Sequence, residues 1–306
     1  CLADGCQELE RGYATEGYIC NEHVTTSVFL AQKMDKPILV EGPPGVGKTE
    51  LAKATAKVLD LPFIRLQCYE GLDESKAIYE WKYGKQLLYT QVLKDKLSGI
   101  LSDEKDLQSA VHRLRGFSDT FYSEEFLEPR PLLKALTNEQ SSVLLIDEID
   151  KSDYEFEAFL LELLSDYSIS IPEIGTISAK ATPMVFLTSN NTRELGDALK
   201  RRCIHLFIEF PDAELERTII SSRVPEISET LREQLVDFVQ GVRQLELKKQ
   251  PAVSETIDWA RALLLLHADS LDAALVKRTL HLLLKFRQDL ESVTPQVEEI
   301  LIKGKI

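Results

Sequence analysis

Gly42-Pro43-Pro44-Gly45-Val46-Gly47-Lys48-Thr49 sets a lysine and a hydroxyl directly behind a glycine-rich turn. That order of residue types makes a phosphate site. The glycines let the backbone wrap closely round an anion, and the free N–H groups at the start of the following helix supply donors and a partial positive charge. Lys48 reaches toward β- and γ-phosphates and Thr49 offers its hydroxyl to Mg²⁺, with Glu50 as the next residue at the site. A dinucleotide turn is disfavoured, because position 50 is Glu where G-x-G-x-x-G needs its third glycine.

Two further clusters follow apolar runs. Val143-Leu144-Leu145-Ile146 leads at once into Asp147-Glu148-Ile149-Asp150. Acids that follow a buried strand are costly unless they emerge at a sheet edge beside a partner, and Mg²⁺ is the natural one. Asp147 would hold the metal directly or through water, and Glu148 would act as general base on the attacking water. Pro183-Met184-Val185-Phe186-Leu187 ends in Thr188-Ser189-Asn190-Asn191, where an amide, that of Asn190 first and of Asn191 next, can hydrogen-bond both a γ-phosphate and the lytic water. Three buried strands thus carry phosphate, metal and polar groups at their carboxyl ends, where open α/β sheets bind ligands. The ligand expected is a nucleoside triphosphate.

The elements that position these groups are legible in outline. The first strand covers Pro37 to Val40 and feeds a helix with apolar positions at Leu51, Ala52, Ala54, Ala56, Val58 and Leu59. Lys48 and Asp147 lie 99 residues apart, more than one helix and one strand need, so an insert is expected at about 78–128. Its Tyr79, Trp81, Tyr83 and Tyr89 read as packing groups or as a substrate-facing set. Residues from about 166 to 179 alternate polar with apolar and turn through Pro172-Glu173-Ile174-Gly175, a hairpin signal. A helical pattern from about Thr192 ends in Arg201-Arg202-Cys203. Past Pro211 the pattern is nearly all helical, over Ala213–Val224, Ser228–Leu247, Val253–His267 and Ala273–Leu290, and apolar stripes such as Leu231, Leu235, Phe238 and Val242 suit a small bundle. The expected fold class is α/β, with a three-layer core on a largely parallel sheet (1–211) followed by a small helical domain (212–306).

Composition narrows the function classes. The chain has 306 residues, 50 acidic against 36 basic, and a net charge of −14, which repels polyanions and makes nucleic acid a poor first guess. Its 5 cysteines suggest no disulfide framework and fit a reducing compartment. Cys1, Cys6, Cys20 and His23 match no compact zinc spacing. No apolar run is long enough to span a membrane, and the sequence offers no secretory signal pattern, so a soluble, cytoplasmic protein is expected.

At these residues the chain resembles the AAA+ ATPases, with GPPGVGKT as Walker A, LLIDE as Walker B and LTSN as sensor 1. More narrowly, RLQCYEGLDESKAIYEWKYGKQLL (65–88), LLSDYSISIPEIGTI (163–177) and TRELGDALKRRC (192–203) are similar to the MoxR branch, in particular to accessory ATPases associated with carbon-monoxide dehydrogenase maturation. The resemblance implies a P-loop core, ATP and Mg²⁺ as cofactors, and an insert in the second helix. It implies a pre-sensor hairpin that projects toward a ring centre, or else is a plain surface hairpin. It also implies an arginine finger, Arg201 or Arg202, acting on a neighbour's γ-phosphate, hence a homo-oligomeric ring, most plausibly a hexamer. Cations at a helix C-terminus are also favourable for dipole reasons alone. Relatives carry a sensor 2 arginine after Ser-Pro; here Arg261 is the nearest counterpart, and Asp258-Trp259-Ala260 departs from the pattern. The implied activity is Mg²⁺-dependent ATP hydrolysis coupled to chaperone-like remodelling or maturation of a protein such as a metalloenzyme complex, with a von Willebrand factor A domain partner. A nucleic-acid motor on the same core is the alternative. A small-molecule kinase or an inactive scaffold fits Asp147 and Glu148 less well.

Overall fold

The computed structural model describes residues 2–89, 91, 127–172 and 174–304. The expected insert therefore lies largely outside the described residues.

Helices α1 (Leu2–Thr15) and α2 (Glu22–Met34) precede strand β1 (Ile38–Glu41), which runs into α3 (Lys48–Val58). Strands β2 (Phe63–Gln67), β5 (Val143–Asp147), β8 (Met184–Ser189) and β9 (Ile204–Phe207) complete one parallel sheet in the order β2-β5-β8-β1-β9. Every residue of β1, β5 and β8 is buried, which is why these segments read as unbroken apolar runs rather than alternating ones. Successive side chains go to opposite faces. Ile38, Val40, Val143, Leu145 and Phe186 pack with Leu9, Tyr13, Val28 and Leu51 of α1 to α3. Leu39, Leu144, Ile146, Val185 and Leu187 form the second core. There they meet α5 (Pro131–Thr137) and α6 (Tyr154–Asp166) through Leu132, Phe156 and Leu160, with Ile78 of α4 (Glu74–Ile78). The result is a three-layer sandwich with the carboxyl ends of β1, β5 and β8 at one rim.

Two small antiparallel sheets flank it. β3 (Tyr79–Trp81) pairs with β4 (Leu127–Pro129), and there Tyr79 and Trp81 lie edge to face at 5.7 Å, half-buried against the second core. Tyr83 and Tyr89 are exposed, so the four aromatics split between packing and surface. The expected hairpin forms from β6 (Ser168–Ile171) and β7 (Gly175–Ser178), with Ile169 and Ile171 buried and Ser170 bonded to Thr176 on the open side.

Helix α7 (Asp197–Arg202) starts later than the pattern from Thr192 suggests. The preceding residues are committed elsewhere: Thr192 to Asp150, Arg193 and the Gly196 N–H to Glu157. Beyond β9 come α8 (Ala213–Arg223), α9 (Glu229–Arg243), α10 (Val253–Leu265), α11 (Ala273–Leu283), α12 (Arg287–Val293) and α13 (Val297–Lys303). Leu231, Leu235, Phe238 and Val242 form a core with Trp259, Leu263 and Leu280, as their spacing predicts. The single helix expected over Ala273–Leu290 is broken at Leu284–Phe286, where Leu284 and Phe286 are extended. That break lets buried Asp289 accept the N–H groups of Lys248 and Lys249. The pattern over Ser228–Leu247 likewise stops helically at Arg243.

Arg243 belongs to a buried polar cluster among the first helices beyond β9. Its guanidinium makes two parallel bonds to Glu216, at 2.7 and 2.8 Å, with the two side chains 6% and 0% exposed. Gln240 and Thr256 also donate to Glu216, Arg243 Nε donates to the Pro251 carbonyl, and its plane covers the Phe210 ring at 4.9 Å. Gln240 donates in addition to the Pro211 carbonyl, so the cluster ties the segment leaving β9 to α8, α9 and α10.

Candidate active site

The sheet rim brings together most of the residues whose chemistry drew notice in the sequence. A cleft of 220 Å³ is lined by Pro44, Gly45, Gly47, Lys48, Thr49, Glu50, Asp147, Glu148, Thr188, Asn190 and Ser254. β1 delivers the turn, and close approach forces two of its glycines. At Gly42 (φ +155°) a Cβ would come within 2.0 Å of the Ile208 carbonyl oxygen. At Gly45 (φ +80°) it would meet Ala252 Cβ at 2.4 Å and Ser254 Oγ at 2.9 Å. The phosphate turn is thus pressed against the start of α10, at Ala252 and Ser254, on one side and the segment leaving β9, at Ile208, on the other.

Lys48 is nearly buried, and its Nζ donates to the carbonyls of Gly42 (2.8 Å) and Pro43 (2.7 Å). Burial pulls its pKa from 10.5 to about 8, against the opposing pull of Asp150, Asp147 and Glu148. Between that value and the ordinary one, the folded chain therefore binds fewer protons than the unfolded chain. The cost of burying the charged form is full below about pH 8 and is relieved as pH rises toward 10.5. An anion that needs the charged lysine must then take up a proton on binding. Affinity for a triphosphate is expected to hold up to about pH 8 and to fall by up to about tenfold per unit above it. Fluorescent-nucleotide titrations at several pH values check this, and a flat profile through about pH 9.5 would refute it.

Asp147, with its side chain 4% exposed, is held from several sides. Thr188 Oγ1 donates to Oδ1 at 2.5 Å, and Thr49 Oγ1 donates at 3.1 Å. Arg65 of β2 donates to Oδ2 from Nε (3.0 Å) and Nη2 (2.5 Å). Glu148 stands next in a left-handed backbone (φ 56°, ψ 51°), fixed by its N–H to Thr188 Oγ1 at 2.8 Å. Its carboxylate accepts from Gln67 Nε2 at 3.1 Å and pairs with Lys151. Asn190 lines the cleft, and its amide group has no protein partner among the described residues. Its N–H donates to Asp150, as do the N–H and hydroxyl of Thr192. Burial pushes Asp150 up, but these hydrogen bonds together outweigh it and hold the carboxyl below its ordinary value. Asn191 has left-handed backbone (φ 58°) and does not line the cleft, so Asn190 is the member of the pair that reaches it.

A cavity of 530 Å³ adjoins the cleft and shares Gly45, Gly47, Glu50 and Ser254 with it. Its walls combine apolar Tyr18, Ile19, Cys20, Val46, Phe207, Ile208, Leu215, Ile219 and Ile257 with polar Asn21, His23, Glu209, Asp212 and Arg223. Burial pushes the Cys20 thiol up to about 12, so it lines the wall as an inert apolar group. Together the two spaces offer room for a ligand body beside the apolar wall and for an anionic tail along the phosphate turn. The hard oxygens of Thr49 and Asp147 fit a small divalent cation beside that tail.

Arg261, Arg201 and Arg202 line neither space of their own chain. Arg261 is exposed on α10 and lines neither space, although Ser254 of the same helix lines both. Arg202 bonds the Leu161 carbonyl and Ser165 of α6, whereas Arg201 is exposed and has no partner among the described residues. Arg193 is spent on Glu157, the Ser152 carbonyl and the Tyr154 ring. Residues not anticipated from sequence are Arg65, Gln67, Thr188 as the clamp on Asp147, Ser254, and the wall at Tyr18–Cys20. Arg65 and Gln67 had one visible signal, their period-two placement at the end of a strand.

Residues 38–212, more than half the chain, match the sequence profile of the ATPase family associated with various cellular activities (AAA). An uncharacterized protein of Staphylococcus epidermidis is 26% identical over 239 residues, 76% of this chain and 77% of that one. A counterpart in Staphylococcus aureus is 27% identical over the same length, 76% of each. Among solved structures, the Thermotoga maritima RuvB Holliday junction branch migration motor aligns with a TM-score of 0.46 at 18% identity, over 84% of this chain and 66% of that one. A mutant of the same RuvB gives 0.49 at 17%, over 99% and 79%.

Proposed function

Since the chain belongs to the AAA family of ATPases and so binds and hydrolyses ATP, we propose that its hydrolysis depends on Mg²⁺, is completed by an arginine from a neighbouring copy, and drives remodelling of a protein partner. The observation that carries this reading is the convergence of Lys48, Thr49, Asp147, Glu148 and Asn190 on one cleft. Lys48 and the turn N–H groups would grip the β- and γ-phosphates. Thr49 and Asp147 would hold Mg²⁺, which neutralises charge between those phosphates when bound. Glu148 would take a proton from water as the water oxygen attacks the γ-phosphorus in line, and the bond to the leaving ADP oxygen breaks with its electron pair. Asn190 would orient that water through its unpartnered amide.

Division into a nucleotide-binding domain (1–211) and a helical lid (212–306) is part of the same proposal. It is supported by the lid's separate core and by the contact of Ala252 and Ser254 with Gly45. So is the ring, most plausibly of six copies, in which exposed Arg201 rather than committed Arg202 would reach a neighbour's γ-phosphate. A protein client in the cytoplasm, such as a metalloenzyme complex presented by a von Willebrand factor A domain partner, follows from the MoxR resemblance and fits a net charge of −14. Among the described residues no helix is long and apolar enough to cross a membrane.

Phosphate release tests the scheme. Arg201→Ala is expected to lower turnover by about 10³-fold, the size of an arginine-finger loss, with ATP binding retained. Arg202→Ala should stay within a few-fold. Normal turnover in Arg201→Ala removes the trans assignment. Salt-sensitive stimulation of the wild type by DNA would move the client from protein to nucleic acid.

A further inference from the structure

Asp147 has its acceptor positions filled. Oδ1 receives Thr188 at 2.5 Å and Thr49 at 3.1 Å, and Oδ2 receives two bonds from Arg65 at 3.0 and 2.5 Å. An ionised carboxylate offers about four such positions, so a metal ion or metal-bound water that uses Asp147 has to displace a donor. Thr188 is buried and pinned by the Glu148 N–H, and Thr49 is itself a candidate ligand. Arg65 is the donor free to leave. Its side chain is 45% exposed, and among the described residues its other bond is to the Gln67 side chain at 2.6 Å. Charge gives the same answer, because a guanidinium and a divalent cation repel each other when set against one buried carboxylate.

We infer that Arg65 is a positioning residue for metal loading: a resident cation that keeps Asp147 compensated until a metal ion arrives with the nucleotide, then yields its place. The inference rests on the ATPase reading above and adds to it the residue that sets the metal requirement. Burying an unpaired carboxylate is costly, so a cleft awaiting a divalent ion needs a substitute charge. A partly exposed arginine on an edge strand supplies one that solvent can receive back.

The test is binding of a fluorescent ATP analogue to the full chain, once with Mg²⁺ titrated and once in chelator. With the competing cation removed, Arg65→Gln should reach half-saturation at about tenfold lower Mg²⁺, the effect of one part-exposed charge pair. In chelator the same variant should bind the analogue about tenfold more weakly, because uncompensated Asp147 faces the phosphates. Arg65→Lys keeps the charge but gives up the paired donors to Asp147, and should shift both arms in the same directions as Arg65→Gln but by less. Opposite shifts in the two arms support metal loading. An unchanged Mg²⁺ requirement, or affinities that fall together in both arms, makes Arg65–Asp147 a fixed structural pair and overturns the inference alone. Wild type that binds no nucleotide in either arm overturns the ATPase reading first.

Discussion

Glu148→Gln is expected to bind ATP as the wild type does and to turn it over at least about 10²-fold more slowly. The substitution keeps size and shape, and the backbone that presents residue 148 is held independently of its side chain. The residue 148 N–H is fixed to Thr188, and the left-handed turn follows a strand paired on both sides. Lys48, Thr49 and Asp147 are untouched, so the grip on the phosphates remains. What disappears is the capacity to accept a proton from the attacking water, for which an amide is no substitute. Single-turnover hydrolysis beside equilibrium nucleotide binding separates the two effects. Wild-type turnover in this variant would take Glu148 out of the chemistry and leave its pairing with Gln67 and Lys151 as its whole role.

Glu216→Ala should lower unfolding free energy by about 3–5 kcal/mol, because it strands the Arg243 guanidinium in a buried site. Arg243 is 6% exposed and among the described residues would keep only the Pro251 carbonyl and the Phe210 ring as partners, while Gln240 and Thr256 each lose an acceptor. Urea titration of the nucleotide-free protein reads the change directly, and a fall in Tm of about 10 °C is the thermal counterpart. The double change Glu216→Leu with Arg243→Met removes both charges at similar volume and should recover most of the loss. A Glu216→Ala protein as stable as wild type would mean that the cluster holds nothing the surrounding core does not already hold.

Contiguity decided what sequence revealed. The phosphate turn occupies eight successive positions, so its glycines, lysine and hydroxyl announce their geometry without any tertiary knowledge. The strands of β1, β5 and β8 were equally plain, since burial on both faces leaves uninterrupted apolar runs. Arg65 and Gln67 look in the chain like ordinary outward residues of an edge strand. Only the pairing of Gln67 with Asp147 across β2 and β5 sets them beside the acids. The break at Leu284–Phe286 was hidden for a related reason. Helical periodicity continues through it, and the competing bonds to Asp289 come from residues some forty positions earlier. Arg261 illustrates the converse. It occupies a helix that does border the site, but the part of α10 that reaches the cleft is its first turn, at Ser254.

The position of β1 in the middle of the sheet bears on how the chain is made. Its neighbours on either side are β8 and β9, so the strand that carries the phosphate turn has no pairing partner until Met184–Phe207 has left the ribosome. At ordinary elongation speeds that interval is roughly ten to thirty seconds. Throughout it, Ile38–Glu41 is an apolar segment with two bare edges, in need of shelter from other nascent chains. Nucleotide cannot help the growing polypeptide fold during that time, because the groove that would hold it is assembled from strands still being translated.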